Sequence, residues 1–271
     1  MIRALRRIIF AVVALYSLAL LALYFGQRAV LYIPPDIYLT PNGVELESAV
    51  EITVSPESND IMGWWIAPKS ETAPVVIYFH GNGSAVFSAS EIYRSFEQQG
   101  YGVFALAYPG YPGRRGKPTQ DSLTQAAIDG YDYVRAYGIN ADRIVYYGTS
   151  LGAGVAAQLA GERRPAIIIM EAPFTSAADM AQLRFPIFPA GALTKDKFQT
   201  TKALAGTNTP IIWIHGTNDQ VIPFQIGQNL FDGYDGPKTA YKIEGGKHNN
   251  LWYKGGDAVI LEVLAALQND L

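Results

Sequence analysis

Ser150 stands in the run Tyr147-Gly148-Thr149-Ser150-Leu151-Gly152, between a β-rich stretch at 143–147 and a small-residue run at 153–160 that suits a helix. A serine with glycine at both second neighbours fits a strand-to-helix turn too tight for a side chain at either glycine. Such a turn holds the hydroxyl outward, where a base can reach it. A serine hydroxyl attacks only when a base takes its proton. The chain has three histidines, His80, His215 and His248, and no cysteine. His80 and His215 each follow an apolar strand pattern, and the types around them suit loop-tying hydrogen bonds rather than a metal site. His248 lies in the polar turn Gly245-Gly246-Lys247-His248-Asn249-Asn250, which suits a mobile base, and an imidazole titrates near neutrality. Asp219, just past the run 211–214, is the candidate carboxylate to orient that imidazole.

The elements needed to hold these residues are legible. Strand patterns fall at 50–54, 61–67, 75–79, 103–107, 143–147, 166–170, 210–214 and 239–243. The central ones are continuous apolar runs, as expected for parallel strands covered on both faces. Helical patterns lie between them. Residues 122–137 put Leu123, Ala127, Tyr131 and Val134 on one stripe, and 258–267 put Val259, Val263 and Leu267 on another. Strands alternating with helices predict an α/β fold with a mostly parallel sheet. The first two strands lack a helix between them and are expected to form an antiparallel edge. Residues 176–201, broken by Pro186 and Pro189, leave room only for a short cap.

Five segments together resemble the α/β-hydrolase superfamily of serine hydrolases. They are Phe79-His80-Gly81-Asn82-Gly83, the Ser150 run, Glu171-Ala172-Pro173-Phe174-Thr175-Ser176, His215-Gly216-Thr217-Asn218-Asp219, and Gly246-Lys247-His248-Asn249. Among such enzymes the chain is most similar to single-pass membrane-anchored hydrolases, the bud-emergence-type proteins and the protein depalmitoylases. The chain order Ser150, Asp219, His248 is that of the superfamily. The resemblance implies an α/β-hydrolase sheet with helices on both faces. It also implies a Ser150–His248–Asp219 triad, and an oxyanion hole built from the Leu151 backbone N–H and a donor of the loop after His80, at Asn82. No cofactor and no metal are implied. The loop Tyr108-Pro109-Gly110-Tyr111-Pro112-Gly113-Arg114-Arg115-Gly116 departs from the pattern, with proline where such enzymes often carry a basic or polar residue.

Competing readings attach to each residue. Ser150 could be a helix-start serine in a packed turn, and Asp219 could cap its own turn. Glu171 is the rival acid, but it follows a different strand and is expected to be structural. Asn82-Gly83-Ser84 matches a glycosylation pattern only by chance, since a glycan there would block the site.

Composition bounds the partners. A net charge of −3 and no basic patch with interleaved aromatics give no case for nucleic acid. Without cysteine there is no disulfide framework, thiolate zinc site or cysteine nucleophile. Residues 8–25 are uncharged and almost wholly apolar, and as a helix they would span roughly 27 Å, close to the hydrocarbon thickness of a bilayer. Arg3, Arg6 and Arg7 precede the stretch, and Tyr24 and Phe25 fall where an interfacial aromatic belt would lie. A cleaved signal peptide should show a shorter apolar region and a small-x-small site, and none follows. The expected organisation is therefore a membrane anchor at 1–27 and a catalytic domain at 28–271. The arginines favour an N-terminus in the cytoplasm and the catalytic domain across the membrane.

The expected activity is hydrolysis of an acyl ester or thioester through an acyl-enzyme. A serine peptidase of the same fold and a non-catalytic membrane scaffold are the alternatives. The triad residues sit on the sheet scaffold, so deleting 1–27 is expected to leave a soluble domain active on small esters, with a greater loss on long-chain substrates.

Overall fold

The computed structural model describes residues 1–270. It opens with α1, Ile2–Leu31, a single helix of 30 residues in which no residue is buried. At 1.5 Å per residue α1 is about 45 Å long. The apolar stretch at 8–25 is thus its middle, and the helix runs without a break past residue 27. It ends at Tyr32, in extended backbone, just before Pro34 and Pro35, which cannot continue a helix.

Eight strands follow: β1 (Val50–Thr53), β2 (Ile61–Ile66), β3 (Val75–Phe79), β4 (Gly102–Leu106), β5 (Ile144–Thr149), β6 (Ile167–Glu171), β7 (Ile211–Gly216) and β8 (Lys238–Ile243). They form one sheet in the order β1-β2-β4-β3-β5-β6-β7-β8. The expected antiparallel edge is present, because β1 pairs antiparallel with β2 and β2 antiparallel with β4. All remaining pairs are parallel.

The parallel pairs need crossovers, and these are α2 (Ser90–Gln98), α3 (Gln120–Ala136), α4 (Leu151–Glu162), a cap of α5 (Ala177–Arg184), α6 (Ala190–Leu193) and α7 (Thr200–Leu204), then α8 (Phe224–Asp232). The chain ends in α9, Gly256–Asp270. Helix α3 starts where Thr119 caps the Ser122 N–H, a side-chain oxygen satisfying one of the open N–H groups of the first turn. The two faces of the sheet are both buried. Val75, Ile77 and Phe79 of β3 join one core with Leu123 of α3 and Val155 of α4. Val76 and Tyr78, pointing the other way, join a second core with Phe96 of α2 and Ile260 of α9. That alternation along one strand is the period-two signature of a sheet covered on both sides.

Candidate active site

The carboxyl ends of β3, β5, β6, β7 and β8 lie level, as the register shows: Phe79 opposite Gly148, Thr149 opposite Glu171, Glu171 near Ile214, and Gly216 opposite Ile243. The loops leaving these ends carry every candidate residue, and in open α/β sheets ligands bind along this edge.

Ser150 joins β5 to α4 with φ +54° and ψ −116°, a backbone region that side-chain-bearing residues rarely occupy. Its N–H donates to the Glu171 carbonyl at 2.9 Å. The glycines explain why the turn can close. A Cβ at Gly148 would lie 2.4 Å from the Gly152 carbonyl oxygen, and one at Gly152 only 2.0 Å from that of Phe79. The sequence pattern thus reflects two backbone close approaches.

Asp219 and His248 meet. His248 Nδ1 donates to Asp219 Oδ2 at 2.7 Å, and Asp219 Oδ1 accepts the N–H groups of Val221 (2.8 Å) and Ile222 (2.9 Å). Burial pushes this carboxyl up, but His248 and the two N–H groups outweigh it and hold Asp219 below the ordinary carboxylate range. The two loops are stitched together: Asn218 N–H donates to the Gly246 carbonyl at 2.9 Å, and Gly245 N–H to Thr217 Oγ1 at 2.9 Å. Glycine at 216 is required there, since a Cβ would fall 2.3 Å from the Gly246 oxygen. Among the described residues no hydrogen bond joins Ser150 to His248. Catalytic contacts of this kind are often long without substrate.

Glu171 is not bonded to the imidazole. It is buried and accepts from the Tyr147 hydroxyl at 2.5 Å. Burial raises its carboxyl to about 7. His80 is also buried, its Nδ1 donates to the Gly81 carbonyl at 2.9 Å, and burial lowers it to about 4, so it is neutral. His215 Nε2 donates to the Ile222 carbonyl at 3.0 Å.

Asn82 and Leu151 both border the cavity at Ser150. Neither backbone N–H has a hydrogen-bond partner among the described residues. The Asn82 side chain is occupied elsewhere: Nδ2 donates to the Leu31 carbonyl at 3.0 Å, and the Asn82 carbonyl accepts from the Tyr111 hydroxyl at 2.9 Å. Tyr108 donates to the His80 carbonyl at 3.1 Å. The proline-bearing loop at 108–116 therefore braces the Asn82 loop from behind, a role no sequence motif disclosed.

The cavity holds about 470 Å³. It is lined by Met180 and Phe188 of the cap, by Phe174 of the loop after β6, and by Leu20, Leu23 and Tyr24 of α1. Residues of α1 were absent from the sequence-based site. Their one signal was that no proline interrupts the chain between Phe25 and Pro34, Gly26 alone weakening the helical pattern there. Helix α1 is fixed to the cap by a bidentate pair, Arg28 Nε and Nη2 to buried Asp196 at 2.7 and 3.1 Å, and by Gln27, which accepts from the Lys195 N–H at 2.6 Å.

Comparison with known proteins agrees with this architecture. The model of the alpha/beta hydrolase family matches residues 76–215, just over half of the chain. The chain belongs to the alpha/beta hydrolase family, and the fold and family make it a hydrolase. It is 27% identical over 244 residues to a Mycobacterium tuberculosis protein, covering 89% of this chain and 87% of the relative. It is 27% identical to human alpha/beta hydrolase domain-containing protein 17B over 74% of this chain and 69% of that one. An esterase of Pyrococcus furiosus shares the fold with a TM-score of 0.63 at 18% identity, covering 88% of this chain and 96% of that structure.

Proposed function

We propose that this hydrolase is a serine esterase or thioesterase that works through an acyl-enzyme. The observation that carries the reading is the 2.7 Å His248–Asp219 pair on the loops after β7 and β8, at the same carboxyl edge of the sheet as the Ser150 turn, with Ser150 itself bordering a largely apolar cavity. In the first half-reaction Ser150 Oγ bonds to the acyl carbon as His248 Nε2 takes its proton. The ester or thioester bond breaks, and the leaving alcohol or thiol departs with that proton. In the second half, water gives its proton to His248, its oxygen bonds to the acyl carbon, and the Ser150 ester bond breaks to release the acid as His248 returns that proton to Ser150 Oγ. Asp219 keeps the Nδ1–H tautomer and stabilises the imidazolium. The free N–H groups of Leu151 and Asn82 face the developing oxyanion, preorganised at no cost in reorganisation. The apolar cavity falls within the size range of small-molecule sites, roughly 300–1,000 Å³, and suits an acyl chain.

The same reading makes α1 a membrane anchor. Its apolar middle matches a bilayer core, and Arg3, Arg6 and Arg7 favour a cytoplasmic N-terminus with the enzyme on the other side. Labelling with a fluorophosphonate, followed by assays on acyl ester, thioester and amide series, tests the reaction. Absence of Ser150-dependent labelling would reject it.

A further inference from the structure

The cavity has a direction. Its residues on α1 run from Leu20 to Leu31, a rise of about 16 Å. At the Leu31 end lies the reacting edge: Asn82 bonds the Leu31 carbonyl at 3.0 Å, and a Cβ on its neighbour Gly81 would stand 3.7 Å from Ser150 Cβ. At the other end the cap reaches down the helix. Phe188 stacks on Tyr16 with ring centroids 5.0 Å apart, and the Tyr16 hydroxyl donates to the Ile187 carbonyl at 3.1 Å.

Depth follows from these contacts. If residues 8–25 fill the hydrocarbon, Tyr16 lies about 14 Å below the boundary at Phe25, near the middle of a core about 30 Å thick. Leu31 lies about 9 Å above that boundary, at headgroup level. The chemistry of the cap changes with the same depth. Its tip, 185–193, carries no ionisable side chain, and Ile187 is 74% exposed. The polar contacts cluster higher, where the Lys195 ammonium sits 4.1 Å over the Tyr24 ring and Arg28 pairs with Asp196. An apolar tip beneath a cationic collar is the arrangement of an element seated in one leaflet.

We propose that the cap tip, 185–193, is immersed in the leaflet beside the catalytic domain, and that the cavity takes its substrate sideways from that leaflet. The substrate is a lipid ester resident in the bilayer. Its acyl chain lies along α1, parallel to the surrounding lipid chains, and its carbonyl stands at headgroup height against Ser150. The inference rests on reading α1 as a membrane anchor.

The cysteine-free sequence allows single spin labels on the full chain in phosphatidylcholine vesicles. Three sites serve: Ile187→Cys in the cap, Leu15→Cys on exposed α1, and Asn140→Cys, exposed before the amino end of β5 and so on the sheet edge away from Ser150. Collision with oxygen against a nickel chelate reports hydrocarbon against water. The label at 187 is expected to match that at 15 and differ from that at 140. Water at 187 with hydrocarbon at 15 overturns the immersion and leaves the anchor standing. Water at both overturns the anchor reading and the inference with it. A second measurement follows the chain itself. Leu20→Trp should lower the ratio of kcat/KM for a long-chain over a short-chain ester about tenfold, the scale of a pocket clash. An unchanged ratio means that the chain does not run along α1.

Discussion

Asn82 donates its side-chain N–H to the carbonyl of Leu31 at 3.0 Å, so the loop beside the candidate nucleophile also closes the last turn of the N-terminal helix. The backbone N–H proposed for the oxyanion is separate from this bond. Asn82→Ala therefore keeps the donor and unties the helix. It should cost about 1 kcal/mol of stability, the typical worth of one such bond, and leave measurable turnover. Thermal unfolding and ester kinetics on the purified variant check both.

Ser150→Ala should abolish fluorophosphonate labelling and nearly all turnover while the fold persists, because it removes one hydroxyl from a loop. Any remaining rate would come from the oxyanion donors and binding. Full labelling of the alanine variant would reject Ser150 as the nucleophile.

Asp219→Asn should reduce kcat by roughly 10⁴, the scale found when a triad carboxylate is neutralised. Glu171→Gln should not, because Glu171 bonds Tyr147 rather than His248. Equal losses in the two variants would mean that the acid role is shared.

The pH dependence of stability separates the same two carboxylates. Glu171 is raised to about 7 from an ordinary 4.5. Between those values the unfolded chain has lost a proton that the folded chain keeps, so its contribution falls as pH rises through the window and then levels. Glu171→Gln lacks that decline. Its stability relative to the parent should climb by on the order of 3 kcal/mol across the window. Asp219 has the opposite sign: depressed in the fold, it stabilises above its unfolded value, and that stability is lost as pH falls through its folded value. Denaturant titrations at stepped pH measure both.

Removing residues 1–27 takes Leu20, Leu23, Tyr24 and Gln27 out of the cavity wall. Long-chain ester hydrolysis should then fall relative to short-chain hydrolysis even in detergent micelles, where nearness to a bilayer plays no part. If the loss appears only in vesicles, the helix acts as a tether alone.

Much of the fold is legible in the sequence. The eight strands lie within two residues of their expected bounds, because continuous apolar runs end at glycine or polar turns. The tight turn at Ser150 and the meeting of Asp219 with His248 were legible because the residues flanking them encode local backbone demands, as the 2.0 Å approach at Gly152 illustrates. The α1 wall was not legible. Leu20 and Leu23 have the same types as any lipid-facing leucine, and only tertiary contact distinguishes a wall from a span. The bracing by Tyr108 and Tyr111 was hidden for a similar reason, since a tyrosine hydroxyl chooses its carbonyl in space rather than in sequence.

Helix α1 runs unbroken from its apolar stretch to the last turn that Asn82 holds. With α1 as an anchor, that continuity turns the encounter of enzyme and lipid into a two-dimensional problem. Ser150 meets only what diffuses laterally to it, so the rate should follow the mole fraction of substrate in the surface rather than its bulk concentration. Added inert lipid would slow turnover by surface dilution, even though neither enzyme nor substrate leaves the membrane.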